Sequence, residues 1–567
     1  MAEFPAVTEQ QWRDRVLREM GETGLDALET ETVEGFRLQP LYTEASPDGA
    51  GFPGMAPFVR GAHPVTSTSG WERCQCYQEP EIEVAAAQIA ADTANGVDGV
   101  WIRLDRAARM GLDPTSKDGL ARVGDDGMAA YTAADLAAVL GAGESRAVGF
   151  SFDAGGNALP LAALALVALQ ESGIDPAAVP IRFNADPLGA LARDGSLPAP
   201  HATLGWEAAV LARYCEAKLP RARALTVSVV PYGRAGASGV QELGFAMATA
   251  IEYLRTLSAA GVDPESGAAQ IALSFELGRD FLTELCKLRA ARWLWSKVLV
   301  ACEVADPPPP LVHAGTSART LACQDPCVNL LRITVQAVAA SVGGADSITT
   351  AAFDEPIGRS SARARRLARN TQAILREEAH LGLVTDAAGG SYAVEALTET
   401  LAREAWSLLR SIDAIGMAEA LIADPPRTHV RNLVDDAYKT RRARLRDGRD
   451  PVLGASHFPP LEPELLERPP VDPAAVRAAV EARLSSRAAP SAETLAAVRE
   501  AAESTTAKSG PDTLMTALLR AARAGATIAE LSGALRDREP GEQVDPFPER
   551  PDAALSEDPV GAAGQGA

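Results

Sequence analysis

The segment VDGVWIRL, residues 97–104, is a short β-rich apolar run bracketed by Gly96 and Asp105. The chain keeps returning to the same pattern, and that recurrence points to the fold. Runs of this kind recur at 146–152 (RAVGFSF), 179–184 (VPIRFN), 225–232 (LTVSVVPY), 270–275 (QIALSF), 311–315 (LVHAG), 346–351 (DSITTA) and 382–386 (GLVTD). Between them lie longer stretches, among them 161–171, 205–217, 240–259, 279–304, 327–342, 360–380 and 392–409. Their apolar residues recur at three- and four-residue spacing, the mark of amphipathic helices. Apolar runs bounded by Gly, Pro or Asp suit parallel strands buried on both faces. Alternation with helices implies right-handed crossovers, and eight such units close economically into a barrel. The predicted fold is α/β, a (β/α)8 TIM barrel, with function expected at the C-terminal ends of its strands.

At 567 residues the chain exceeds one barrel, so flanking material is expected. Residues 1–80 show little periodicity after a first helix but carry TEASPDGAGFPGMAPFVRGAHP, too rich in apolar and aromatic residues for a solvated tail. This region is predicted to be an extended N-terminal arm that serves as an interface, with the barrel over 81–450. Residues 451–540 turn Pro- and Ala-rich: a linker at 458–473, then helices near 474–485 and 512–534. An acidic, Gly- and Pro-rich tail at 541–567 is expected to be disordered.

The formal net charge of −21 and pI near 4.9 speak against nucleic acid or anionic membrane as partners. No apolar run is long enough for a transmembrane helix, and the N-terminus lacks a signal-peptide pattern, so a cytoplasmic location is expected. Seven Cys, at 74, 76, 215, 286, 302, 323 and 327, form an odd, scattered set suited to a reducing compartment. Neither Cys74/Cys76 nor Cys323/Cys327 has zinc-knuckle spacing or a nearby His, and no metal site is predicted. Of the six His, only His313 is placed to face a barrel mouth.

The stretch PGMAPFVRGAHPVTSTSGW at 53–71 resembles the PGxxPFxRG…W signature of the methylmalonyl-CoA mutase family. FLTELCKLRAARWLWSK (281–297), TLACQDPCVNLLR (320–332), ARRLARNTQAILREE (364–378) and DAAGGSYAVEALTETLAREAW (386–406) continue the likeness in family order. The resemblance implies a barrel with an open axis lined by small residues, through which the pantetheine of an acyl-CoA threads. It also implies adenosylcobalamin over the mouth, held by a separate domain through an Asp-x-His-x-x-Gly motif. This chain has no Asp-x-His anywhere. The cofactor is therefore expected to bind a partner subunit and not this chain.

The family's Tyr-His pair at the end of the fourth predicted strand corresponds here to Tyr232 and Gly233, and glycine cannot donate the hydrogen bond a thioester carbonyl needs. The Arg-Thr-His run of the sixth corresponds to Leu311, Val312 and His313. The Gly-His-Thr-Gln of the seventh corresponds to Gly343, Gly344, Ala345 and Asp346, and the aromatic run after Trp71 is replaced within Arg73–Tyr77 (RCQCY). A radical rearrangement depends on preorganised donors in a water-free site, so no catalytic residue is expected. Arg60, Tyr232 and His313 remain as vestigial substrate-binding candidates. Each has a structural reading: Arg60 anchors the arm, Tyr232 fills the barrel mouth, and His313 is a hydrogen-bonded core residue.

SFDAG (151–155) and FNADPLG (183–189) look like the small, non-catalytic subunit of heterodimeric bacterial methylmalonyl-CoA mutase. The expected role is to stabilise a catalytic large subunit in methylmalonyl-CoA/succinyl-CoA interconversion. The alternative is an active substrate-binding subunit that pairs with a separate cobalamin-binding protein, as in isobutyryl-CoA-type mutases. An unrelated lyase or aldolase barrel would need a strand-end Lys or a carboxylate cluster, and neither is evident in the sequence.

Overall fold

The computed structural model describes residues 8–20, 28–43, 51–64, 70–141, 148–423, 429–460, 471–505, 511–536 and 539–553. Eight parallel strands close into a barrel: β1 (Glu72–Tyr77), β2 (Gly99–Arg103), β3 (Gly149–Asp153), β4 (Ile181–Ala185), β5 (Ala222–Ser228), β6 (Ile271–Leu277), β7 (Leu311–Thr316) and β8 (Ser347–Thr349). They pair in chain order, and β8 returns to β1 with Ser347 opposite Glu72 and Thr349 opposite Cys74. Barrel closure leaves no edge strand, so every ladder is satisfied.

Two strand assignments differ from expectation. Gly382–Asp386 is a turn, with Leu383 and Val384 largely exposed and left-handed backbone at His380 and Asp386. The remaining place in the barrel belongs to Glu72–Tyr77 (ERCQCY), inside the stretch predicted as arm. Its inward residues Glu72, Cys74 and Cys76 meet a polar axis, so the hydrophobic alternation that reveals a strand is missing.

Helix 158–171 (ALPLAALALVALQE) is apolar all round because it is covered all round: Ala158–Leu169 are all buried. Neighbouring barrel helices flank it, and helices 512–523 and 528–535 lie against it. The predicted helix at 512–534 is thus two helices broken at Gly525, which adopts φ +86 where a Cβ would strike the Ala488 carbonyl. A further helix, 492–504, joins them. Among the described residues no helix is long and apolar enough to cross a membrane.

The C-terminal segment overturns the expectation of disorder over 541–553; residues 554–567, like the linker core at 461–470, lie outside the described residues. Residues 542–552 run along the C-terminal rim of the barrel. Leu197 N–H donates to the Glu542 carbonyl, Val544 N–H to Gly195 and Arg550 N–H to Arg234. Phe547 is buried against Tyr232 with ring centroids 5.0 Å apart. Asp552, 2% exposed, receives Arg319 at 2.6 Å and Arg279 at 3.2 Å. Composition reads as tail here because the apolar anchors are few and widely spaced; their partners lie more than 100 residues away.

Candidate functional site

Parallel strands with inward side chains at every second position project successive tiers along the barrel axis. On β2 the inward pair is Trp101 and Arg103, on β3 Ser151 and Asp153, on β6 Ser274 and Glu276, and on β7 His313 and Gly315. These residues, with the βα loops and Glu549 from the C-terminal strap, enclose a cavity of about 550 Å³ at the C-terminal ends of the strands. The exceptions are Ser151, one tier lower, and the axis residues beneath it.

Below the cavity the axis is crossed by side chains. Trp101 meets His313 edge to face at 4.9 Å. Deeper, the Arg182 guanidinium pairs with Glu72 and donates from Nε to Ser151 Oγ at 2.6 Å. Gly99 and Gly149 make this possible, since a Cβ on either would lie within 3.0 Å of the Glu72 carboxylate. Small axis residues are present as the resemblance implied, but they give room to an internal ion pair.

Charge in the cavity walls is mostly self-compensated. Arg193 holds Asp153 at 2.6 Å and Arg103 lies 3.5 Å from the same carboxylate. Burial disfavours that carboxylate, yet Arg193 and Arg103 overcome it and hold Asp153 down at about 2. Arg234 donates to Glu276 at 2.6 Å and to Glu549 at 2.7 Å, and Arg359 pairs with Glu79. Burial raises Asp186 to about 6, against the hydrogen bond from Tyr253 and the Ser228 and Gly189 N–H groups. Cys76 is pushed up to about 12 by burial, which removes it as a nucleophile.

The sequence candidates are not brought together. Arg60 lies outside the barrel, paired with Asp386 at 2.8 Å; the same carboxylate takes Arg289. His63, three residues on, sits 3.6 Å from Asp346 at the N-terminal end of β8, the face opposite the cavity. Tyr232 does not line the cavity. It is buried between Phe245 (5.2 Å) and Phe547 (5.0 Å), its hydroxyl unpartnered, its acidity suppressed by burial and by Asp186. His313 does line it, with Nδ1 3.1 Å from Ser347 Oγ. Burial and the Arg182 charge lower its imidazole to about 3, so it is neutral at physiological pH. Gly343 and Gly344 offer their carbonyls to Arg292 at the far end of the barrel and take no part in the cavity.

Gly233 faces the barrel wall: a Cβ there would sit 3.0 Å from Glu242 Oε1. That carboxylate is buried and held by Lys287 Nζ at 2.7 Å, with Glu284 as a second partner of the ammonium. Restoring an imidazole by Gly233→His is therefore expected to yield no acyl-CoA binding and to lower stability by about 1–3 kcal/mol through overpacking. Thermal melting and calorimetry on the variant check this; a CoA ester bound by it would refute the geometry.

Sequence reading missed the residues that do line the cavity, Arg103, Asp153, Arg234, Glu276 and Glu355. The available signal was charge at alternate positions at the ends of strands, VWIR, FSFD and LSFEL, where a purely packed barrel would be apolar.

The methylmalonyl-CoA mutase family profile matches residues 31–540. The methylmalonyl-CoA mutase small subunit of Streptomyces virginiae is 38% identical over 480 residues, spanning 83% of this chain and 73% of that protein. The large subunit from the same organism is 30% identical over 545 residues, 94% of this chain and 74% of that one. The small subunit of Propionibacterium freudenreichii subsp. shermanii is 30% identical over 496 residues, 84% and 72% respectively.

Proposed function

This chain belongs to the methylmalonyl-CoA mutase family, and from that premise we propose that it is a non-catalytic small subunit. In this reading it stabilises a large subunit that carries the substrate, the adenosylcobalamin and the methylmalonyl-CoA/succinyl-CoA interconversion. The observation that carries the reading is the closed axis: Trp101 on His313 and Arg182 on Glu72 and Ser151 stand where a pantetheine chain would have to pass. Moving them would break a buried ion pair, at about 3–5 kcal/mol. The relatives named small subunits support the same assignment, and so does Gly233 in place of a donor.

The residues at the mouth do not fit a corrinoid. The C-terminal rim is lined by this chain's own residues 542–552, tied down by Arg234–Glu549 and Arg319–Asp552. We accordingly assign the cofactor to the partner and route no chemical step through this barrel.

Calorimetric titration of the full chain with methylmalonyl-CoA and succinyl-CoA is expected to give no saturable heat, whereas co-expression with a mutase large subunit gives a stable 1:1 complex. Micromolar binding of either ester by the isolated chain, the usual substrate scale, would overturn the proposal and restore a substrate-binding subunit served by a separate cobalamin protein. Failure to form the complex would remove the partner role.

A further inference from the structure

The strap along the barrel mouth ends in a carboxylate seated among arginines. Arg279 follows β6 and Arg319 follows β7, so both belong to βα loops at the C-terminal face, where barrels of this kind bind their ligands. Arg319 donates from Nη1 to Asp552 Oδ1 at 2.6 Å, and Arg279 Nη2 lies 3.2 Å from Oδ2, which is buried without the alignment of a hydrogen bond. The charge of Arg441, on helix 429–446, bears on the same carboxylate. Burial disfavours the Asp552 carboxylate, yet Arg319, Arg279 and Arg441 overcome it and hold it below the ordinary range.

The charges there do not balance. Among the described residues Asp552 is the sole carboxylate in ion-pair contact with Arg279 or Arg319, and Arg441 has none: its guanidinium reaches the Ala237 carbonyl at 3.4 Å. The Arg441 guanidinium is held below the ordinary arginine range, by burial first and then by Arg319, with Asp552 and Glu34 pulling the other way. Arg332 is lowered too, by burial and then by Arg279. One monovalent anion thus serves three guanidiniums, a donor set better matched by the several oxygens and double charge of a phosphoryl group. The rest of the strap is held independently of this contact. Val544 and Phe547 N–H groups donate to the Gly195 and Ala192 carbonyls, and Phe547 packs on Tyr232.

We propose that Arg279, Arg319 and Arg441 form a binding site for a phosphoryl dianion, free or esterified, and that Asp552 is its built-in occupant, displaced when the dianion binds. Only residues 550–553 need to lift, so the rim stays covered and the closed axis beneath is untouched. Because only the unlatched fraction of the chain is competent, the apparent affinity is set by how firmly Asp552 is held. The site uses residues of this chain alone, so it stands or falls separately from the small-subunit assignment.

The test is titration calorimetry on the full chain with inorganic phosphate and with glycerol 3-phosphate, against acetate and chloride at matched ionic strength. Asp552→Asn keeps the shape of the side chain and removes its charge. That variant should bind at least one of the two dianions about tenfold or more tighter than the parent does, and the tighter of the two identifies the free or the esterified source. Adding Arg279→Gln, at a side chain one quarter exposed, should cancel the gain. In the parent, millimolar dianion should speed amide hydrogen exchange over 550–553, followed by mass spectrometry, while the Val544 and Phe547 amides keep their protection. That readout needs no variant to fold. Equal responses to acetate or chloride would overturn the site. So would an Asp552→Asn chain that gains no dianion binding, or a parent whose strap end exchanges no faster.

Discussion

Replacing Arg182 by Leu is expected to lower the stability of the folded chain by about 3–5 kcal/mol, the range for stranding one member of a buried ion pair. The Arg182 side chain is 10% exposed and its Glu72 partner 17%. The Glu72 carboxylate lies over Gly99 and Gly149, where a Cβ on either glycine would strike it. The effect thus comes from the abandoned carboxylate more than from the lost attraction. A double replacement, Arg182→Leu with Glu72→Gln, should recover a substantial part of the loss, since no uncompensated charge then remains. Urea midpoints for the parent, both single variants and the double variant measure it. A single Arg182→Leu loss below about 1 kcal/mol, the value of an exposed pair, would show that the pair is solvated and the axis open.

A second large effect appears only in acid. The imidazole of His313 titrates at about 3 in the folded chain, because burial and Arg182 oppose its charge, against an ordinary value of 6.5. A base with depressed folded pKa contributes stability that is present above 6.5 and lost as pH falls from there toward 3. Each pH unit in that window costs about 1.4 kcal/mol, so roughly 3 kcal/mol is gone two units below the ordinary value. Substitution by Asn keeps a polar atom near Ser347 but removes the titration. The His313→Asn chain should be the weaker one at neutral pH, through lost contact with Trp101, and should close most of that gap by pH 4.5. Buried carboxylates such as Asp105 and Asp186 shift the opposite way but are common to both proteins and cancel in the difference. Parallel stability curves from pH 7.5 to 4.5 would contradict a buried, neutral His313.

The two effects share a cause that bears on function. In the lower barrel, Arg182, Glu72, Ser151, His313 and Trp101 satisfy or pack against one another across the axis, and any one of them removed strands its neighbours. A through-passage for a long ligand and this network exclude each other.

Much of this architecture was legible in local sequence. Seven of the eight predicted runs are barrel strands, from Val97–Leu104 around β2 to 346–351 around β8. Their apolar residues, and the helical spacing between them, follow from burial within a few residues of chain. The exception is instructive. ERCQCY failed to look like a strand because its inward face meets an ion pair and not a packed core, while GLVTD had a strand's composition without a neighbour to pair with.

The barrel, its order and its family likeness are written in local sequence, because periodicity and short motifs record interactions between residues near in sequence. Long-range packing fixes the rest: the closed axis, the placement of Tyr232 away from the cavity, and the course of residues 542–552 along the rim. Those outcomes rest on pairs such as Glu72 with Arg182, Arg234 with Glu549 and Arg319 with Asp552. Such pairs are between 110 and 315 residues apart. Charge complementarity at that range leaves no periodic trace, since any Arg can in principle meet any Glu until the backbone fixes which of them share a buried space.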